Sequence, residues 1–303
     1  MKNTVTVGTR GSQLALWQAS YVQQQILHYH PDIKIELKII KTTGDTIQNR
    51  TLVGLGKGVF TKEIEIALLN EDIDLAVHSL KDLPTELPDG LCIAAIPTRE
   101  DPRDVLISST RLPLHDLTNE AKIGTTSPRR KAQLLHIRPD LHVVDVRGNV
   151  DTRLRKLQET ELDGIILAAA GLKRLQKEDI ITEYFEPDKF IPAVGQGALA
   201  IQTREKDSRT QHLLSPLNDS ITTTEITAER TLLESLGGGC QLPIGAYARQ
   251  HNEKLSLIGT VCHPLGKQRI VEQATGDIDK PQELGRLVAE TLRKNGAHEL
   301  MHT

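Results

Sequence analysis

The chain has 303 residues, a length that suits about two domains and a core that needs no cross-links. Its 37 Lys and Arg nearly balance 40 Asp and Glu, and aromatics make up 3% of the residues. This argues against a surface built to coat nucleic acid or an anionic membrane, and against base-stacking platforms. No apolar run approaches the roughly 18 residues of a bilayer span, and the first residues hold no apolar core of signal-peptide length. Three cysteines are too few, and odd in number, for a disulfide framework, and Cys92, Cys240 and Cys262 are too far apart for a CxxC metal site. A cytoplasmic protein with no bound metal is expected.

Residues 4–9 read as a short strand. Ser12 is a candidate helix cap, and Ala15, Ala19, Val22 and Ile26 follow on one face of period 3.6; His30-Pro31 ends that helix. Ile33, Ile35, Leu37 and Ile39 alternate with Lys34, Glu36 and Lys38, the pattern of a half-buried strand. A helix over 61–70 and an apolar strand over 73–77 follow. The middle repeats this grammar: a strand ending at 122–125, a helix over 128–137 opened by Pro128, then strand 141–146, helix 151–160 and strand 164–169. Alternating strands and helices imply an α/β fold with parallel sheets under helices. Val7-Gly8-Thr9 and Ile123-Gly124-Thr125 each lead through a polar loop into a helix, a faint echo that two similar domains would explain. Residues 188–201 suit a return crossing between them. From about 220 the texture becomes α+β: helix 224–236, a glycine turn at 237–239, strands at 243–249, 254–261 and 268–275, and a helix over 281–295.

Three features carry chemistry. Between Lys122 and Arg155 eight basic residues face three Asp, a local balance of +5. Arg129 and Arg130 open a helix, Arg147-Gly148 follows a strand, and Arg153 lies in the next helix. These are strand-to-helix turns, where α/β sheets bind anions; a solvated charged face is the alternative. Arg10-Gly11-Ser12 is either a second anion contact or a simple helix cap. The pair Lys81-Asp82 beyond Ser79 is either an acid/base group at a strand end or a capping pair. Cys240 follows three glycines, on a turn that either presents a reactive thiol or packs one. Cys92 and Cys262 suit core or strand positions. Gly54–Gly58 lacks the spacing of a phosphate loop and reads as a mobile loop.

Taken in order, Thr9–Ser12, Gly56–Phe60, Ala76–Pro84, Glu100–Asp104, Gly124–Arg130, Arg147–Val150, Ala170–Arg174, Pro192–Gly197 and Gly238–Pro243 resemble the signature of the porphobilinogen deaminase (hydroxymethylbilane synthase) family. The resemblance implies two α/β domains like type II periplasmic binding proteins, with the site in the cleft between them, plus a small α+β domain. On this sequence they fall at 1–98 with 198–216, 103–192 and 220–303. It implies a monomeric cytoplasmic transferase of tetrapyrrole (heme) biosynthesis that condenses four porphobilinogen molecules with release of ammonia. Its primer would be a dipyrromethane cofactor joined to Cys240 by a thioether. Asp82 would be the catalytic group. Ser79, Lys81, Thr125, Ser127, Arg129, Arg130, Arg147, Gly148 and Arg153 would hold the cofactor. Arg10, Ser12, Gln18, Arg147, Arg153, Ala168, Ala169, Arg174 and Gln196 would hold substrate. Lys57 and Phe60 would belong to a lid over 44–60. No nucleic acid, membrane or metal enters this reading. Every added pyrrole brings an acetate and a propionate, and two like charges about 4 Å apart repel by about 4 kcal/mol at an effective dielectric near 20. Arginines are therefore required. A ligand-sensing module that binds anions without catalysis accounts for the arginines but not for Cys240 or Lys81-Asp82.

Overall fold

The structure is a computed structural model that describes residues 4–46, 58–239 and 242–301. In chain order the elements are β1 (Thr4–Thr9), α1 (Gln13–Tyr29), β2 (Lys34–Ile39), α2 (Thr43–Thr46), α3 (Lys62–Leu69), β3 (Leu75–Ser79), β4 (Leu91–Ala95), β5 (Asp104–Ser108), β6 (Lys122–Gly124), α4 (Pro128–Ile137), β7 (His142–Val144), α5 (Val150–Glu159), β8 (Gly164–Ala168), α6 (Ala169–Arg174) and β9 (Glu183–Tyr184). They continue with β10 (Leu199–Arg204), α7 (Ser208–Leu214), α8 (Ser220–Ser235), β11 (Ile244–His251), β12 (Lys254–Cys262), β13 (Arg269–Asp277), α9 (Pro281–Lys294) and α10 (Ala297–Met301). Two compact units contain them: residues 1–100 with 198–223, and residues 101–197 with 224–303. Among the described residues no helix is long and apolar enough to cross a membrane.

The first unit holds a five-stranded sheet in the order β2-β1-β3-β10-β4. β1 pairs in parallel with β2 and β3, whereas β10 runs antiparallel to β3 and β4. One face of the sheet packs Val5, Val7, Leu75 and Val77 against Ala19, Val22 and Ile26 of α1. The other packs Ala76 and Leu91 against Ile64 and Leu68 of α3. Fully buried side chains of this size each contribute about 1.5–3 kcal/mol, so both faces must be covered for the sheet to persist.

The second unit repeats the plan. Its five-stranded sheet has the order β7-β6-β8-β5-β9, with β6 parallel to β7 and β8, and β5 antiparallel to β8 and β9. Along β5 and β8, Leu106 and Ile166 join Leu134 of α4 on one side, while Val105, Ile107, Ile165 and Leu167 join Leu157 of α5 on the other. β1 and β6 hold the same place in their sheets, second from one edge, and each leads into a serine-capped helix: Ser12 accepts from Ala15 N and Ser127 from Arg130 N. The short echo of Val-Gly-Thr and Ile-Gly-Thr thus marks equivalent strand ends.

The sheets are mixed rather than wholly parallel as the alternation of strands and helices suggested. The reason is that β10 and β5 run against the parallel trio of each sheet. β2 also departs from expectation. It is an edge strand; Ile33 and Ile35 reach the core, but Leu37 and Ile39 are exposed. The charged residues between them suit a guarded edge.

The small C-terminal part of the second unit is the antiparallel sheet β11-β12-β13. Leu255 and Leu257 of β12 pack with Leu232 of α8 and Val288 and Leu292 of α9. At Gly245 an added Cβ would lie 2.8 Å from Ile191 O and 2.9 Å from Pro192 O. Only glycine lets β11 approach the 191–197 segment this closely.

Candidate functional site

In both units the candidate residues collect at the carboxyl ends of the parallel strands, where α/β sheets bind ligands. In the first unit Arg10 follows β1, and its guanidinium carbon lies 4.3 Å from the centre of the Phe60 ring. β3 ends at Ser79, whose Oγ accepts from Nε2 of the buried Gln18 at 2.9 Å. A short 3-10 turn, Leu80–Asp82, continues from it. Leu80 is fully buried and anchors the turn, while Asp82 is exposed. The carboxylate is therefore presented on a rigid mount. Ser12 is the cap of α1 and half-buried.

Beneath this turn sits a buried polar chain that sequence reasoning did not single out. His78 Nε2 donates to Gln202 Oε1 at 3.0 Å, and Gln202 Nε2 donates to Glu65 Oε1 at 3.4 Å. Because Gln202 Oε1 can only accept, His78 is the neutral Nε2–H tautomer. Burial pushes its pKa down to about 4, with Arg10 adding to the effect and the Gln202 bond opposing it. Burial likewise raises the Glu65 carboxyl, against bonds from Gln202 and Thr61. The unfolded chain binds a proton at His78 below about 6.5 that the native state refuses. Stability from this group is therefore complete above about pH 6.5 and is lost towards about pH 4, by about 3 kcal/mol. Denaturant unfolding of the wild type and His78→Gln at pH 7 and pH 4.5 checks this: the variant is expected to lose less stability on acidification. Equal losses would contradict it.

In the second unit Thr125 and Ser127 follow β6, and Ser127 caps α4. Arg129 and Arg130 then turn inward, at 3% and 5% exposure. Arg129 Nη1 donates to Asp104 Oδ2 at 2.7 Å and to Ile191 O at 2.8 Å. Arg130 Nε donates to Asp104 Oδ1 at 2.8 Å and Nη1 to Ile166 O at 3.0 Å. Asp104, the first residue of β5, is fully buried. Burial would raise its pKa, but the two guanidiniums hold it far below the usual carboxylate range. Gln196 Nε2 donates to Asp104 Oδ1 at 3.0 Å and to Pro102 O at 2.7 Å, and its Oε1 accepts from Arg130 Nη2 at 3.4 Å. Arg174 Nη2 donates to Gly197 O at 2.7 Å.

Sequence reasoning set Arg129, Arg130, Arg174 and Gln196 directly against ligand. All four are buried, with protein partners that bind them to the strand ends and to the 191–197 segment. Asp104 was visible in the sequence only as part of a signature, because nothing in local composition pairs it with arginines 25 and 26 residues away. Arg147 and Arg153 are half-buried near the start of α5. Arg153 Nε donates to Gly148 O at 2.9 Å, and Gly148 has φ +121°, which favours glycine. Ala168 ends β8, and Ala169 N donates to Arg103 O. Cys240 and Lys57 lie outside the described residues, as does 47–57 of the expected lid and most of the Gly54–Gly58 loop; Gly237–Gly239 lead up to Cys240.

Arg129 and Arg130 share the Asp104 carboxylate, and among the described residues Arg129 Nε is buried without a hydrogen-bond acceptor. Such a donor set fits a ligand with several carboxylates. The family model "Porphobilinogen deaminase, dipyromethane cofactor binding domain" matches residues 5–212, and the model of the same family's C-terminal domain matches residues 223–294. The chain belongs to the porphobilinogen deaminase family. A porphobilinogen deaminase of Syntrophotalea carbinolica is 47% identical over 99% of this chain and 95% of the relative. One from Bacillus subtilis is 47% identical over 99% and 96%, and one from Desulfitobacterium hafniense is 49% identical over 98% and 96%. The porphobilinogen deaminase family's cofactor is thus the group against which the arginine cluster is to be read.

Proposed function

We propose that this chain is a hydroxymethylbilane synthase, a transferase of tetrapyrrole and heme biosynthesis. It joins four porphobilinogen molecules head to tail, releases one ammonia for each, and gives a linear tetrapyrrole. The observation that carries the reading is the buried pair Arg129 and Arg130 at the strand ends of the second unit, where Arg129 Nε has no acceptor among the described residues.

The residues that would hold the dipyrromethane are Cys240, through its sulfur, with Ser79, Lys81, Thr125, Ser127, Arg129, Arg130, Arg147, Gly148 and Arg153. When bound, the cofactor supplies the free pyrrole α-carbon to which the first substrate is joined. Arg129 and Arg130 would meet its carboxylates, while Asp104 fixes their direction. A hydrogen bond to a charged partner contributes about 1.5–3 kcal/mol, so two or more are needed to offset a repulsion of about 4 kcal/mol between neighbouring carboxylates. Arg10, Ser12 and Gln18 serve incoming substrate in the first unit. Arg147, Arg153, Ala168, Ala169, Arg174 and Gln196 serve it in the second, the last two by shaping the backbone at Gly197 and Pro102. Phe60, against Arg10, and Lys57 belong to a covering segment.

Asp82 carries the proton chemistry. Its exposed carboxylate accepts hydrogen bonds from pyrrole N–H groups and offsets the positive charge that develops in porphobilinogen as ammonia departs. It then takes up the proton released when the carbon–carbon bond forms. The protein works as a monomer in the cytoplasm, in three domains over 1–98 with 198–216, 103–192 and 220–303, and needs no metal or nucleic acid. Incubation of the purified chain with porphobilinogen tests the reading. One ammonia per substrate consumed and a linear tetrapyrrole product are expected; saturable binding of porphobilinogen without ammonia release would favour a ligand-sensing module.

A further inference from the structure

Glu229 lies in α8 and is fully buried in the second unit. Its Oε2 accepts from Gly195 N at 2.8 Å and its Oε1 from Ala248 N of β11 at 2.9 Å. Both carboxylate oxygens thus meet backbone donors, one on the 191–197 segment and one on the C-terminal sheet. The segment is held from the sheet side as well, since Ala246 N donates to Pro192 O at 3.0 Å. One residue beyond Gly195, Gln196 bonds Asp104, Pro102 and Arg130. At the other end, α8 runs into the glycine turn that leads to Cys240. Gly237 N donates to Glu234 O and Gly238 N to Leu233 O, which ties that turn to the last turn of the helix. One helix therefore carries both the entry to the cysteine loop and the clasp on the segment that braces Asp104 and the arginines.

We propose that Glu229 is a positioning residue: by holding Gly195 it sets Gln196 against Asp104 and Arg130, and so fixes the arginine cluster relative to the Gly237–Gly239 turn at the end of α8 that leads to the cysteine. The inference rests on the reading of Cys240 as the tether. A residue of this kind acts through geometry, and displacement of a reacting group by about 1 Å costs up to about a hundredfold in rate. Glu229→Gln keeps the shape but retains only one side-chain acceptor for two backbone donors.

The test uses cofactor-free full-length protein refolded with porphobilinogen. Intact mass follows adduct formation per folded molecule, and circular dichroism follows the folded fraction and its melting. Glu229→Gln is expected to slow loading at least about tenfold per folded molecule. Gln196→Ala is expected to slow it similarly, and the double variant no further than the slower single, because the two act in one chain. A Glu229→Gln protein that melts lower yet loads at the wild-type rate, or losses that multiply in the double variant, would overturn the proposal. If Glu229→Gln does not fold, wild-type loading by Gln196→Ala overturns it. A wild-type chain that gains no adduct would remove the tether reading itself, a result distinct from an adduct that forms equally fast in every variant.

Discussion

Asp82→Asn is expected to retain the cofactor adduct and to lose about 10²–10⁴ in turnover. Asn is close in size and can still accept from a pyrrole N–H through its amide oxygen, so binding changes little. What it loses is the negative charge and the ability to take a proton. The side chain stands exposed on a turn anchored by the buried Leu80, so the substitution leaves the fold intact. Surface changes of this kind stay within about 0.5 kcal/mol. Steady-state turnover of porphobilinogen, with intact mass as the control for cofactor, makes the measurement. Turnover within a few-fold of wild type would remove Asp82 from the chemistry.

Asp104→Asn is expected to destabilise the protein by about 3–5 kcal/mol, because it leaves two buried guanidiniums without their shared anion. The pH dependence separates this from His78. The folded pKa of Asp104 is depressed, so its stabilisation is present above the unfolded carboxylate value of about 3.9 and is lost only as pH falls below it. Between about pH 6.5 and 4 His78 contributes a loss on acidification, opposed by Glu65, whose raised carboxyl pKa favours the native state as pH falls. Denaturant unfolding at pH 7 should show the Asp104→Asn loss in full, while the acid slope from His78 persists. A variant as stable as wild type at pH 7 would mean that the cluster does not depend on this carboxylate.

Much of the architecture was legible where local physics decides it. α1 and α4 begin where a serine cap precedes a periodic apolar face, and Pro128 sits at the first helical position of α4. The strand-end placement of Arg10, Asp82, Arg129 and Arg147 followed from the alternation of strands and helices. What escaped depends on partners distant in sequence. β5 is five residues buried throughout, with no alternation to mark it, and its antiparallel pairing with β8 joins Asp104 to Ala168 across the chain. The direction of β10 against β3 is of the same kind. The burial of Arg129 and Arg130 was invisible because an exposed and a buried arginine look alike in sequence; only the partner carboxylate distinguishes them. His78-Gln202-Glu65 and Glu229 were missed for that reason too, although His78 stood inside a recognised signature.

An arginine cluster that serves a pyrrole chain requires that chain to be anchored, and Cys240 is the proposed anchor. The intact mass of the purified wild-type protein and of Cys240→Ser tests it most directly. A wild-type mass raised by two linked pyrroles is expected, with a Cys240→Ser mass equal to that of the bare polypeptide. An unmodified wild-type chain that still turns over porphobilinogen, or an adduct that survives Cys240→Ser, would contradict it.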